Sequence, residues 1–289
     1  MSEGSAAAGA RSGASSAAAG AQAAGSANAA ADDALQRLVH GGVRVQRCAP
    51  DGADALRLDR AEALGYLGYA GQQIDETLTA RFDALADACE QNTVPAYAWA
   101  AFPVDAARTC WDDDAAQPQV ALLGCGLVLT GRDIARHLRG ARAVALLACT
   151  LGLANERELQ RRAALSAADG VMYGAAGSAL VEACANAAES AVVSAAADAG
   201  LHTNWRFSPG YGDLPLTLQP QFLRALDATR RLGLTATPTC LLVPTKSVTA
   251  VVGLFDRPQD GAEVRTACGT CQLRKTCNLR KQGRTCHGR

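Results

Sequence analysis

Aromatic residues are scarce: Phe, Trp and Tyr make up only 4% of the 289 residues. A core cannot rest on large rings and must be assembled from Ala, Leu and Val. Net charge is also missing, since 28 Lys and Arg balance 28 Asp and Glu. No global field draws the chain to nucleic acid or to a membrane surface. Lysine is nearly absent. Only Lys246, Lys275 and Lys281 break an otherwise all-Arg basic set, and Lys246 stands apart from the other two. No run of about 20 strongly apolar residues occurs, so no transmembrane helix is expected. The start, MSEGSAAAGARSG, lacks a basic segment followed by a Leu-rich stretch and makes a poor secretory signal. Cysteine, by contrast, is abundant at 11 residues. An odd count, scattered Cys in apolar context (Cys149, Cys184, Cys240) and no secretory signal point to a reducing, cytoplasmic setting. Those three read as small buried hydrophobes. With 49% hydrophobic and 19% charged residues, the composition suits a soluble globular protein.

Residues 1–31 stand apart. Ala, Gly and Ser fill 26 of these 31 positions. Such a segment buries too little surface to offset its ordering entropy and is expected to be disordered. Periodic sequence begins at Asp32. Asp59 and Glu62 read as a capping box opening a helix through Tyr66, which Gly68 and Gly71 break. Leu78, Phe82, Leu85 and Cys89 recur at helical spacing. Val94 to Val104 alternates as a strand. The acidic run at 112–114 reads as a solvated turn beside the alternative of a metal site. Residues 120–129 form an apolar strand or strand pair. Thr130 then sits near the N-cap of a helix over TGRDIARHL, and 143–150 is a buried strand. Helices are expected over 155–166 and 171–199, the second with Val181, Cys184, Ala188 and Val192 along one stripe. A short strand over 203–207 leads to the turn-rich SPGYGDLP. Residues 219–232 read as one helix. LLVP (241–244) and SVTAVVGLF (247–255) read as adjacent strands. Strands and helices mix without regular βα alternation. The fold class is therefore α+β, with a mixed or antiparallel sheet and several helices.

Two segments carry chemistry. In RFSPGYGDLPL (206–216), Pro209, Gly210 and Gly212 make a sharp loop directly after a strand, where backbone can approach a ligand closely. Arg206 presents a fork suited to a carboxylate, and Tyr211 offers a ring face and a hydroxyl. Together they suit an amino-acid-like ligand. The structural alternative is an ordinary strand-to-helix turn whose Arg pairs with a surface acid. The second segment is Cys268-x2-Cys271-x5-Cys277-x8-Cys286, with His287 beside it. Four thiols in that spacing can enclose one metal. The flanking Arg274, Lys275, Arg280, Lys281 and Arg284 would favour thiolates. The alternative is a basic tail with redox-labile thiols. The Gly-rich GCG (124–126) and GAAG (174–177) lack the strand, spacing and acid of a dinucleotide fingerprint. His40, His137 and His202 are isolated, and Arg136, Arg139 and Arg142 read as a solvated face or a docking face.

The run Arg206-Phe-Ser-Pro-Gly210-Tyr211 resembles the RxxxGY motif of the cobalamin-dependent methionine synthase activation domain. Leu180-Val181-Glu182-Ala183 is similar to that family's LxEA element, and PTKSVTAVVGL (244–254) to its SVS-containing strand. The resemblance spans about residues 55–257 and is nearest to short, stand-alone members. It departs from the long form after the GY, where this chain has GDLPL, and it lacks a DWxPF-like entry segment. The resemblance implies an activation-domain-like unit over 32–260 that binds S-adenosylmethionine through Arg206, Ser208, Gly210 and Tyr211, with Glu182 near the ligand's ammonium group. It further implies support for reductive methylation of cob(II)alamin on a methionine synthase or related corrinoid protein. An electron donor such as a flavodoxin or ferredoxin would serve it, with cobalamin on the partner. No general base or covalent nucleophile is expected. The Cys-rich tail over 261–289 adds a zinc or iron–sulfur site at Cys268, Cys271, Cys277 and Cys286. It leaves two alternatives open, an iron–sulfur redox adaptor or a zinc-stapled interaction module for a corrinoid protein.

Overall fold

The computed structural model describes residues 32–259, except 53–54, 70 and 113–116. The expectations for 1–31 and 261–289 lie outside the described residues, as does most of the acidic run at 112–114. A helix over 32–40 (α1) precedes β1 (Arg44–Arg47), α2 (Arg60–Tyr66), α3 (Glu76–Gln91) and β2 (Ala96–Pro103). Next come the hairpin β3 (Gln119–Ala121) and β4 (Val128–Thr130), then α4 (Arg132–His137) and β5 (Ala143–Thr150). The long pair α5 (Gly152–Leu165) and α6 (Ala167–Asp198) follows. The chain continues through β6 (His202–Thr203), α7 (Gln219–Ala225), α8 (Ala228–Leu232), β7 (Thr235–Ala236), β8 (Leu242–Val243) and β9 (Ser247–Phe255).

Among the described residues, five strands form one antiparallel sheet in the order β1-β2-β5-β9-β6. All eight residues of β5 are buried, because both faces of this central strand are covered. Alternation along the strand sorts them. Val144, Leu146 and Ala148 meet α4, α7, α8 and the β3–β4 hairpin. Ala143, Ala145, Leu147 and Cys149 meet α1 and α6. Small and large residues interlock across both interfaces. The first face sets Ala96, Ala98 and Ala100 of the sheet under Ile134, Leu138 and Phe222. The second sets Trp99 and Leu254 against Ala185, Ala188 and Ala196 of α6. A chain with few aromatics thus reaches close packing by bringing Ala-lined layers together. The first half of α6 packs on α2 and α3 around Tyr173, Phe82 and Leu180. Close approach has local requirements too. A Cβ on Gly253 would lie 2.6 Å from the Phe255 ring and 3.1 Å from Leu138 Cδ2.

Several local expectations hold. Asp59 caps α2 by accepting from Ala61 N and Glu62 N, and Phe82, Leu85 and Cys89 are the buried face of α3. Others are corrected. The strand over 203–207 is cut to two residues, because the Asn204 side chain replaces the ladder and accepts from Gly253 N at 2.7 Å. Phe207 rejoins by a single bridge to Val251. The helix over 219–232 is two helices, broken where Asp227 takes a left-handed conformation at φ 49°. β8 does not pair with β9. It pairs with β7, a two-residue strand too short to show periodicity in the sequence. Thr130 does lie beside the N-cap of α4, as expected, but it ends β4, and the N-cap itself is Gly131, which offers no side chain.

Candidate functional site

Four of the five ligand-site candidates line one open cleft of about 400 Å³: Glu182, Arg206, Ser208 and Tyr211. The fifth, Gly210, shapes the wall. At φ +96° it takes a conformation that L side chains avoid, and a Cβ there would sit 3.1 Å from Leu216 Cδ2. The loop closes on itself through Tyr211 N to Ser208 O (3.0 Å), Gly210 N to Leu214 O (2.7 Å) and Leu214 N to Tyr211 O (3.0 Å). Tyr211 remains 48% exposed, its ring edge-on to Phe207 at 6.4 Å.

Arg206 is not a free fork. Helical spacing on α6 stacks Ser178, Glu182, Asn186 and Glu189 along one stripe, and this stripe holds the guanidinium. Nη2 donates to Asn186 Oδ1 at 2.7 Å and lies 3.5 Å from Glu182 Oε2, while Nε lies 3.0 Å from Glu189 Oε2. Glu189 Oε1 also accepts from the Arg206 backbone N at 3.2 Å. The Arg206 side chain is only 12% exposed. Burial raises the Glu182 carboxyl above the usual carboxylate range; Arg206 opposes that rise, and Glu62 and Glu189 add to it. Behind this group Cys149 and Cys184 are fully buried, and burial pushes the Cys149 thiol far up. They are the small buried residues the sequence suggests. Cys240 is not: it is half-buried and lines the cleft at φ 64°.

Sequence reasoning misses the cleft floor and its far wall. Gln219, Thr249 and Ser247 form a polar floor, with Thr249 Oγ1 donating to Gln219 Oε1 at 2.9 Å and Ser247 Oγ to Thr150 Oγ1 at 2.8 Å. The β7–β8 hairpin supplies Cys240, Leu241 and Leu242. These arrive by tertiary packing and share no motif with the 206–211 loop. Asn186 and Glu189, however, follow Glu182 at helical intervals, and that spacing is a signal the sequence carries. Lys246 turns away from solvent, and its Nζ donates to Ser178 Oγ at 2.7 Å. Burial lowers its ammonium pKa, opposed by Glu156. Its isolation among arginines matches a built position.

The remaining signals resolve as structure. His137 is a half-buried histidine, with Nε2 at 2.9 Å from Trp205 O and its pKa lowered to about 4 by burial. Arg142 pairs with Asp32 and Asp256, Arg139 donates to Trp111 O, and Arg136 lies near Asp133. Among the described residues no group of three or more His, Cys, Asp or Glu could hold a metal, and no helix is long and apolar enough to cross a membrane. Cys268, Cys271, Cys277 and Cys286 lie outside the described residues.

No protein-family model and no curated protein matches the chain. Among solved structures, it is similar to the MetH reactivation domain in a crystal structure bound to AdoHcy. The TM-score is 0.54 at 14% identity, over 84% of this chain and 86% of that one. The chain thus has the α+β fold of the methionine synthase activation domain, with its antiparallel sheet and flanking helices.

Proposed function

We propose that the chain binds S-adenosylmethionine in this cleft and presents its methyl group for reductive methylation of cob(II)alamin, the reactivation step of a cobalamin-dependent methionine synthase or related corrinoid methyltransferase. One observation carries the reading. Residues far apart in sequence, Glu182 on α6 and Arg206, Ser208 and Tyr211 on the loop, line one cleft, in a fold shared with a domain crystallised with AdoHcy.

The charges agree with such a ligand. Arg206 with Glu182 and Glu189 sums to one net negative charge. S-adenosylmethionine carries a carboxylate, an ammonium and a sulfonium, and so one net positive charge. The Arg206 guanidinium takes the carboxylate while Glu182 takes the ammonium. The exposed Tyr211 ring offers a face to the sulfonium or the base. Methyl transfer from a sulfonium moves no proton, so the chain's task is binding and orientation rather than acid–base chemistry. The partner's corrinoid would supply the nucleophilic cobalt, and an external donor such as a flavodoxin or ferredoxin the electron. On this reading residues 32–260 are the binding unit.

Isothermal titration of the full chain tests it. We expect one-site binding of S-adenosylmethionine and of S-adenosylhomocysteine, weakened in Glu182→Gln. Absence of heat for either ligand at about 1 mM, the weak end of specific affinity, would remove the proposal.

A further inference from the structure

Arg206, Ser208 and Tyr211, three of the residues that would touch the ligand, sit on a loop whose two ends are both bonded to one short helix. At the entry, Asn204 Nδ2 donates to His137 O at 2.7 Å, and His137 Nε2 lies 2.9 Å from Trp205 O. At the exit, Asp213 accepts from Arg132 N at 2.5 Å and from Asp133 N at 3.1 Å. His137 ends α4 and Arg132 begins it. The loop therefore bridges the two ends of a rod about 9 Å long, at the usual helical rise. Between these anchors the Phe207 ring packs on His137 at 5.1 Å, and the Tyr211 ring stands edge-on to Phe207 at 6.4 Å. Two glycines permit the close approach. A Cβ on Gly212 would lie 2.5 Å from Asp133 Oδ2, and one on Gly131 would overlap the Asp213 carboxylate. No α4 residue lines the cleft. The helix acts on the site only through the loop.

We propose that α4 is a splint for the ligand loop, with Asp213 and His137 as positioning residues at its two ends. The proposal rests on the S-adenosylmethionine reading of the cleft. It explains two features that local sequence leaves unaccounted for. The helix lacks a cap of its own because a residue of the loop supplies it, so the cap forms only when the loop is in place. The half-buried, neutral imidazole serves as a hydrogen-bonding and ring-packing post, holding Trp205 by its carbonyl and Tyr211 through Phe207. A loop fixed at both ends meets its ligand with little ordering left to do, and this raises affinity without any added contact.

The test uses the full chain and two readouts: titration with S-adenosylmethionine, and hydrogen exchange of the backbone amides at 206–212. Asp213→Ala removes both acceptors. Its 206–212 amides should exchange at least about tenfold faster, and affinity should fall about tenfold, the scale of a lost cap. Amides of β5 should be unchanged in the same sample. Asp213→Asn keeps one of the two acceptors and should recover part of both losses. His137→Leu removes the ring's bond to Trp205 O and its packing on Phe207 while leaving the Asn204 bond to the backbone carbonyl. It should shift exchange and affinity in the same direction by a smaller factor, and it keeps the test open if Asp213→Ala does not fold. Unchanged exchange at 206–212 in the variants would overturn the splint. Faster exchange with unaltered affinity would overturn its role in binding. If the wild-type chain binds no S-adenosylmethionine, the functional reading falls and with it the binding role, while exchange still decides whether α4 holds the loop.

Discussion

Replacing Arg206 by Ala removes the one cation among Glu182, Asn186 and Glu189, and the consequences can be worked from the geometry. Removing one partner of a fully buried ion pair costs about 3–5 kcal/mol, because the other charge is left unpaired. Here the two acids keep 30% and 24% side-chain exposure. Water reaches them, and a loss of about 1–3 kcal/mol in folding stability is expected instead. The deficit should depend on pH. Burial already raises the Glu182 carboxyl in the folded chain, and Arg206 partly offsets the rise. Without Arg206 the folded-state pKa climbs further. The folded state then holds a proton that the unfolded chain has released, so stability falls as pH rises from the ordinary carboxylate range through the raised one. Urea denaturation should therefore show a larger deficit at about pH 8 than at about pH 5. Affinity for S-adenosylmethionine should fall by about 2–4 kcal/mol, the scale for a desolvated charge partner. A deficit equal or larger at the acid end would refute the electrostatic account of the stripe, and wild-type affinity would refute the role of Arg206 in the cleft.

Three further outcomes follow from other parts of the molecule. His137 titrates near 4 when folded and near 6.5 when unfolded. Stability should thus drop by on the order of 3 kcal/mol as pH falls through that window, and His137→Leu should flatten this part of the wild-type profile in chemical denaturation. Gly253→Ala drives a methyl against Phe255 and Leu138 and should cost about 1–3 kcal/mol, read as a lower denaturation midpoint with an unchanged slope. At the C-terminus, a Cys268→Ser/Cys271→Ser double variant should lose bound metal while keeping S-adenosylmethionine affinity. Equal metal content in wild type and variant, after anaerobic purification with iron, sulfide and zinc quantification, would contradict a site at Cys268, Cys271, Cys277 and Cys286.

Elements whose stabilising partners lie within a turn or two of chain are legible in the amino-acid sequence alone. The Asp59 cap, the Phe82–Leu85–Cys89 face and the apolar run of β5 need only local spacing and burial to declare themselves. The same holds for part of the site: the conformational demand at Gly210 and the fork at Arg206 are properties of one short loop. The tertiary structure decides everything that depends on a distant partner. It turns Arg206 from a free fork into the centre of a stripe on α6. It puts Gln219, Thr249 and the β7–β8 hairpin around the same cleft. It ends β6 at Thr203, because the Asn204 side chain reaches Gly253. It caps α4 from Asp213, some 80 residues along the chain. The physical reason is common to all four. A hydrogen bond or charge pair is chosen by distance in space, and the chain distance that local patterns measure says nothing about which side chain packing will bring there.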